Sequence, residues 1–123
     1  MCIKRNAFGD EGMVVIAIIL NRINGLQTIE SCEGHKECGF IFFEYGEWKE
    51  IGGLVFEIIA PPLLKTLGED VHISVDIFNI DTPRAELRFR IEAKKIVTSI
   101  LNEVLNLRKS RYFYDKYRIR FRN

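Results

Sequence analysis

Two segments with strict two-residue alternation constrain this chain more than anything else in it. In VHISVDIF (71–78), Val71, Ile73, Val75 and Ile77 fall on one side, and His72, Ser74 and Asp76 on the other. In AELRFRIEA (85–93), Leu87, Phe89 and Ile91 oppose Glu86, Arg88, Arg90 and Glu92. A period of two places successive side chains on opposite faces of a sheet, so each segment predicts a strand with one buried and one solvated face. The turn-forming NIDTPR between them predicts antiparallel pairing, with His72, Ser74 and Asp76 sharing a face with Arg88 and Arg90. That face is either a binding surface for a phosphate-bearing ligand or the solvated side of a half-buried sheet.

The flanking segments supply the other layer. Ile96, Val97, Ile100, Leu101, Val104 and Leu105 recur at helical spacing and predict an amphipathic helix over about 93–108. Upstream, Val15/Ile16, Ile19/Leu20 and Ile23 predict a helix over about 11–24, with Asp10 as N-cap and Gly25 as stop; the density of β-branched residues leaves a strand as the alternative. LQTIESC (26–32) and GFIFFEY (39–45) read as two strands around a polar loop. Trp48, Ile51, Leu54, Val55, Ile58 and Ile59 form a helical stripe expected to end or kink at Pro61-Pro62, with LLKTLG adding one or two turns. Gly52-Gly53 weakens that helix unless close backbone packing requires it. The order α-ββ-α-ββ-α predicts a single two-layer α+β domain over 1–123: an antiparallel sheet of about four strands with helices on one face.

Bulk properties narrow the class. With 47% hydrophobic and 28% charged residues, the 123-residue chain can bury a core without disulfides or metal. The apolar run MVVIAIIL (13–20) falls short of the roughly 18 residues that span a bilayer, and no basic leader with a cleavage site accompanies it. Three cysteines without a regular framework fit a reducing compartment, so a cytoplasmic protein is expected, without membrane association. The net charge of +1 hides an asymmetry, because residues 108–123 hold seven Lys or Arg against one Asp. This basic-aromatic tail (109–123), KSRYFYDKYRIRFRN with Arg111, Arg118, Arg120 and Arg122, suits RNA contact through phosphate neutralisation and base stacking. The alternative is a final strand or helix docked on the domain with aromatics inward and arginines in solvent.

Most of the chemistry lies in TIESCEGHKEC (28–38). Cys32, His35 and Cys38 supply three zinc-ligand types in seven residues, with Cys2 or His72 able to complete a tetrahedral structural site. Cys32 beside His35 could form a thiolate nucleophile, which makes them the candidate catalytic pair. Alternatively, Gly34 allows a turn whose backbone N–H groups converge on an anion, with Ser31 and His35 adding donors. This last arrangement predicts a site for an anionic small ligand or a nucleotide, made by Ser31, Cys32, Gly34 and His35. His72, Arg88, Arg90 or the basic tail would complete it.

The run from Leu26 to His35, preceded by LNRING, resembles a motif of small uncharacterised proteins of prokaryotes and their viruses, in which a helix ending INAL leads into a strand ending SCxGH. It is also similar to the Thr-Thr-Ser-Ser-Cys-Ser-Gly-Arg segment of the wybutosine-synthesis methyltransferases, which methylate a modified guanosine in tRNA with S-adenosylmethionine. Thr28, Ser31, Cys32 and Gly34 match that segment, while His35 stands for its Arg and Glu30 for a Ser. The resemblance implies a site at Ser31, Cys32, Gly34 and His35 in a small α+β protein. Through the second family, it implies an RNA-modifying enzyme using S-adenosylmethionine.

Overall fold

A computed structural model of the chain describes residues 13–32, 38–79, 82–106 and 115–121. It has helix α1 (Val14–Leu20), strands β1 (Leu26–Cys32) and β2 (Cys38–Tyr45), and a long helical run made of α2 (Trp48–Gly53), a π-helical segment (Leu54–Ile59) and α3 (Ala60–Leu67). Strands β3 (Val71–Asn79) and β4 (Thr82–Arg90) and helix α4 (Lys94–Asn106) follow. The strands form one antiparallel sheet in the order β1-β2-β4-β3, with the helices on one face, which is the two-layer α+β architecture read from the sequence.

Alternation decides what the sheet buries. Ile41, Phe43 and Tyr45 of β2, Ala85, Leu87 and Phe89 of β4 and Val71 of β3 turn to the helices and are buried. Against them pack Ile16 and Leu20 of α1, Ile51, Leu54, Val55, Ile59 and Leu63 of the long helical run, and Val97, Leu101 and Leu105 of α4. Burying one Leu, Ile or Phe stabilises by about 1.5–3 kcal/mol, so this continuous layer fixes which face of each element points inward.

Several local expectations need correction. Helix α1 begins at Val14 with Met13 as its N-cap and ends at Leu20; Asp10 lies outside the described residues. Val15, expected in the buried stripe, is 54% exposed, because the inward face is Met13, Ile16, Ala17 and Leu20. Gly25 does stop this region, at φ +90, where a side chain would be strained. The helix at Pro61-Pro62 neither ends nor breaks. Instead the preceding turns widen to π geometry, where the Ala60 N–H donates to the Val55 carbonyl, and the prolines occupy the first turn of α3. First-turn positions tolerate proline because their N–H groups need no partner within that helix, and the widened turns make room for the rings.

This run, Trp48–Asp70, is long and apolar enough to cross a membrane by length and composition, a property hidden when only uninterrupted apolar stretches are counted. Here its apolar stripe is the core helix of the sheet. The hairpin turn is shorter than expected, since β3 extends to Asn79 and β4 starts at Thr82. Pro83 is tolerated in β4 because it pairs only with Ile77, while pairing with β2 reaches no further than Ala85. Ile91, read as strand, begins a short 3-10 turn into α4.

The C-terminal segment returns to the domain. Tyr117 and Ile119 are buried, Phe121 bridges Ile23, and the Asn24 N–H donates to the Arg120 carbonyl at 2.5 Å. The Tyr45 hydroxyl lies 2.9 Å from the Tyr117 carbonyl and 2.7 Å from that of Arg118. Gly53 explains the glycine pair: a Cβ there would overlap the Tyr117 ring, whereas one at Gly52 would meet nothing.

Candidate functional site

The uncovered face of the sheet is an ordered grid whose rows follow from register. Nearest the loop after β1, Cys32 pairs with Phe40, Phe40 with Arg88, and Arg88 with His72. In the next row, Glu30 pairs with Phe42, Phe42 with Glu86, and Glu86 with Ser74. At the loop edge itself, Cys38 pairs with Arg90. The chain between Cys32 and Cys38, which contains Gly34 and His35, lies outside the described residues. Its two anchor points therefore sit at the end of the sheet that carries His72, Arg88 and Arg90.

Side-chain geometry at this end is specific. Phe40 and Phe42 are half-buried and meet edge to face, with ring centroids 5.3 Å apart. The Arg88 guanidinium lies 5.2 Å from the Phe40 centroid, within the range at which a cation is drawn to an aromatic face. Glu86 holds it there through contacts of 3.0 Å to Nε and 2.5 Å to an η nitrogen. Arg90 stands 3.7 Å from Glu92, and both are largely exposed. Ser74 donates to Asp76 at 3.2 Å, and further down the face Arg84 meets Glu44 at 3.2 Å. Charge thus varies along the strands: Arg88 and Arg90, with the imidazole of His72, lie at the loop end, while Glu30, Glu44, Glu86 and Asp76 lie in the following rows with Arg84 as their cation.

The residues expected to form one site are divided by the fold. His72, Arg88 and Arg90 do share the open face, as antiparallel pairing requires. Ser31 does not join them. It is fully buried, opposite Ile41 on the helix side of the sheet. The cause is a bulge in β1: register passes from Thr28↔Phe43 to Glu30↔Phe42, so Ile29 is the extra residue and every later side chain changes face. Without it, Glu30 would enter the core, at the cost of burying a carboxylate. Ser31 therefore cannot present its hydroxyl to a ligand on the open face.

The described part of the tail, residues 115–121, likewise lies away from this end. Arg118 and Arg120 follow the segment held by Tyr45, at the far end of β2 from Cys38; seven residues of strand separate the two ends by about 23 Å. Arg120 is paired there with Asp115 at 3.3 Å. Among the described residues, Arg118 and Arg120 thus do not complete the loop-end site, although both are exposed where they stand. Arg111 and Arg122 lie outside the described residues.

For the zinc reading, Cys38 is a free, half-buried thiol, and among the described residues no group of three His, Cys, Asp or Glu could hold a metal ion. His35 and Cys2, which that reading invokes, are outside them. Neither Phe40 nor Phe42 was among the residues that the sequence motifs pointed to. The signal was present, since in GFIFFEY the alternation that buries Ile41 and Phe43 must turn Phe40 and Phe42 outward. Compared with known proteins, the chain has no significant match to a family model, a curated protein or a solved structure.

Proposed function

We propose that this chain is a binding module for a nucleotide, seated on the open sheet face beside the loop that joins β1 and β2. The observation that carries the reading is the row Phe40–Arg88–His72, an aromatic ring with a guanidinium over it and an exposed imidazole alongside. Aromatic side chains on an exposed sheet face offer a stacking surface to any base, and adjacent cations take the phosphate. The charge gradient sets an orientation: phosphate lies at Arg88 and Arg90, and the base lies over Phe40 and Phe42. Amino groups of the base face the acceptors Glu30 and Glu86. The same acids keep a long polyanion off the lower rows, so the footprint is one or two nucleotides.

Thermal shift and calorimetry at low salt with nucleoside monophosphates and diphosphates test this. Saturation at 100 times the dissociation constant raises stability by about 2.7 kcal/mol. Phe40→Ala removes a stacking contribution of about 1–3 kcal/mol, and Arg88→Ala weakens phosphate-bearing ligands more than the matching nucleosides. S-adenosylmethionine, which has an adenine but no phosphate, belongs in the panel: tight binding of it alone would redirect the reading to methyl transfer. The absence of any shift at millimolar nucleotide, or a shift indifferent to both substitutions, would overturn the proposal.

A further inference from the structure

Strand β3 is an edge of the sheet, and its outer side pairs with nothing among the described residues. Edges are ordinarily protected by shortness, proline, lysine or a bulge. The other edge, β1, carries the bulge at Ile29. Over Val71–Ile77, β3 carries none of these; its only irregularity comes later, between Ile77 and Asn79. It also leaves apolar surface uncovered: Ile77 is 60% exposed, and Ile73 and Val75 are only partly buried.

The sequence of this edge is complementary to itself. An antiparallel copy related by a two-fold axis through Ser74 sets Ser74 opposite Ser74, Ile73 opposite Val75, His72 opposite Asp76 and Val71 opposite Ile77. Face parity is kept throughout, because positions paired this way differ by an even number. On the helix side, the exposed Ile77 meets Val71, and the half-buried Ile73 and Val75 cover each other. On the open side, the exposed His72 donates to the exposed Asp76 carboxylate of the second copy, twice by symmetry. About six to eight backbone hydrogen bonds form along seven paired residues. Centring the axis on Val75 instead keeps parity but sets Asp76 against Ser74 and loses both His–Asp pairs.

We propose that the chain forms a two-fold symmetric dimer through β3, joining two sheets into one of eight strands. The partner is a second copy of this chain, and the interface is isologous. This rests on the edge and its charge pattern, and it stands or falls independently of the nucleotide reading. The dimer sets the open faces side by side, with the Phe40–Arg88–His72 rows flanking the axis and the Asp76 carboxylate of the second copy next to His72.

Sedimentation velocity over a concentration series, together with register-specific cross-linking, tests it. The wild-type chain is expected to sediment as a concentration-dependent dimer. Asp76→Lys, an exposed change, should weaken association by about tenfold by removing, twice by symmetry, the carboxylate that accepts from His72. Adding His72→Asp to that variant sets a carboxylate opposite the new lysine and should restore the dimer. Directly opposite residues have Cα atoms about 4.5–5.5 Å apart, within disulfide range, so Ser74→Cys should link to itself on mild oxidation. Val75→Cys, displaced to roughly 8 Å from its symmetry mate, should not. Peptide mass spectrometry separates the 74–74 link from links made by the native cysteines. A wild-type chain that stays monomeric at its highest soluble concentration would overturn the proposal. So would a dimer unaffected by Asp76→Lys, or self-linking at 75 in place of 74.

Discussion

Replacing each glycine of the Gly52-Gly53 pair by alanine gives opposite outcomes for neighbouring residues of one helix. Intrinsic propensity treats the two alike: Gly→Ala in a helix interior gains about 0.8–1 kcal/mol. At Gly52 a new Cβ meets nothing within 4 Å, so that gain is expected in full. At Gly53 it would overlap the Tyr117 ring, which is 5% exposed and carries the returning C-terminal segment. The ring then shifts or leaves. Overpacking of this kind costs about 1–3 kcal/mol, and full loss of the Tyr117 burial costs a similar amount. The two variants should therefore differ by about 1–3 kcal/mol, with Gly52→Ala above wild type and Gly53→Ala at or below it. For a domain of this size, that is a separation of roughly 4–12 °C in Tm, measured by circular dichroism at matched concentration. In a Tyr117→Ala background the clash is gone, and Gly53→Ala should become stabilising like its neighbour. If Gly53→Ala raises Tm as much as Gly52→Ala in the wild-type background, Tyr117 is not packed on this helix and the docking of residues 117–121 is refuted.

Three other outcomes follow from the same structure. Tyr45→Phe removes a hydroxyl that lies against two carbonyls at 2.9 and 2.7 Å; urea denaturation should show a loss of about 1–2 kcal/mol, and an unchanged midpoint would contradict the contact. Burial first, and the Glu50 carboxylate next, push the Tyr45 phenol up to about 12 from its ordinary 10.0. The folded protein holds this proton more tightly than the unfolded chain, so the phenol's contribution is whole below pH 10 and is lost as pH rises toward 12. Denaturation midpoints of wild type should fall more steeply over that window than those of Tyr45→Phe; parallel curves would refute it. Ser31→Ala should cost about 1 kcal/mol of stability and leave nucleotide affinity unchanged, while Arg88→Ala should do the reverse, and calorimetry on the pair reads the split directly.

The layer architecture was legible because periodicity is set by backbone geometry alone. His72 alternating with Ile73, and Arg88 with Phe89, already states which face turns inward; the structure buries Phe89 and Val71 on that face, while at the sheet edge Ile73 and Val75 are half-buried and Ile77 is exposed. What periodicity could not supply was the behaviour of the chain where two rules conflict. Pro61-Pro62 argues for a helix end, while the apolar stripe from Ile51 to Leu63 argues for continuation. Burial of Leu54, Val55, Ile59 and Leu63 prevails, and a widened turn accommodates the prolines. Val15 misled for a related reason. With apolar residues in every position from Met13 to Leu20, the sequence holds no polar face to mark which side is out, and only the sheet beneath selects Ile16 and Leu20.

The site was legible only in halves, and one bulge accounts for the division. Motif reasoning treats Ser31, Cys32, Gly34 and His35 as one unit because they are adjacent in sequence, but in a strand adjacency means opposite faces. Simple alternation from Leu26 would have buried Glu30 and exposed Ser31; the extra residue at Ile29 reverses both, and the carboxylate takes the open face while the smaller hydroxyl takes the core. Nothing in LQTIESC marks the bulge except the cost of burying Glu30. Read with that cost in mind, the stretch yields the same sorting as the structure: Leu26, Thr28 and Ser31 inward, Gln27 and Glu30 outward. Pairing then carries the outward set to Phe42 and Phe40, and from these to Glu86, Arg88 and His72. The site proposed for the nucleotide is thus a row across four strands, not a run along one. Its members are 8 to 56 residues apart in the chain, which is why a motif centred on the loop found the end of the sheet but not the aromatic surface beside it.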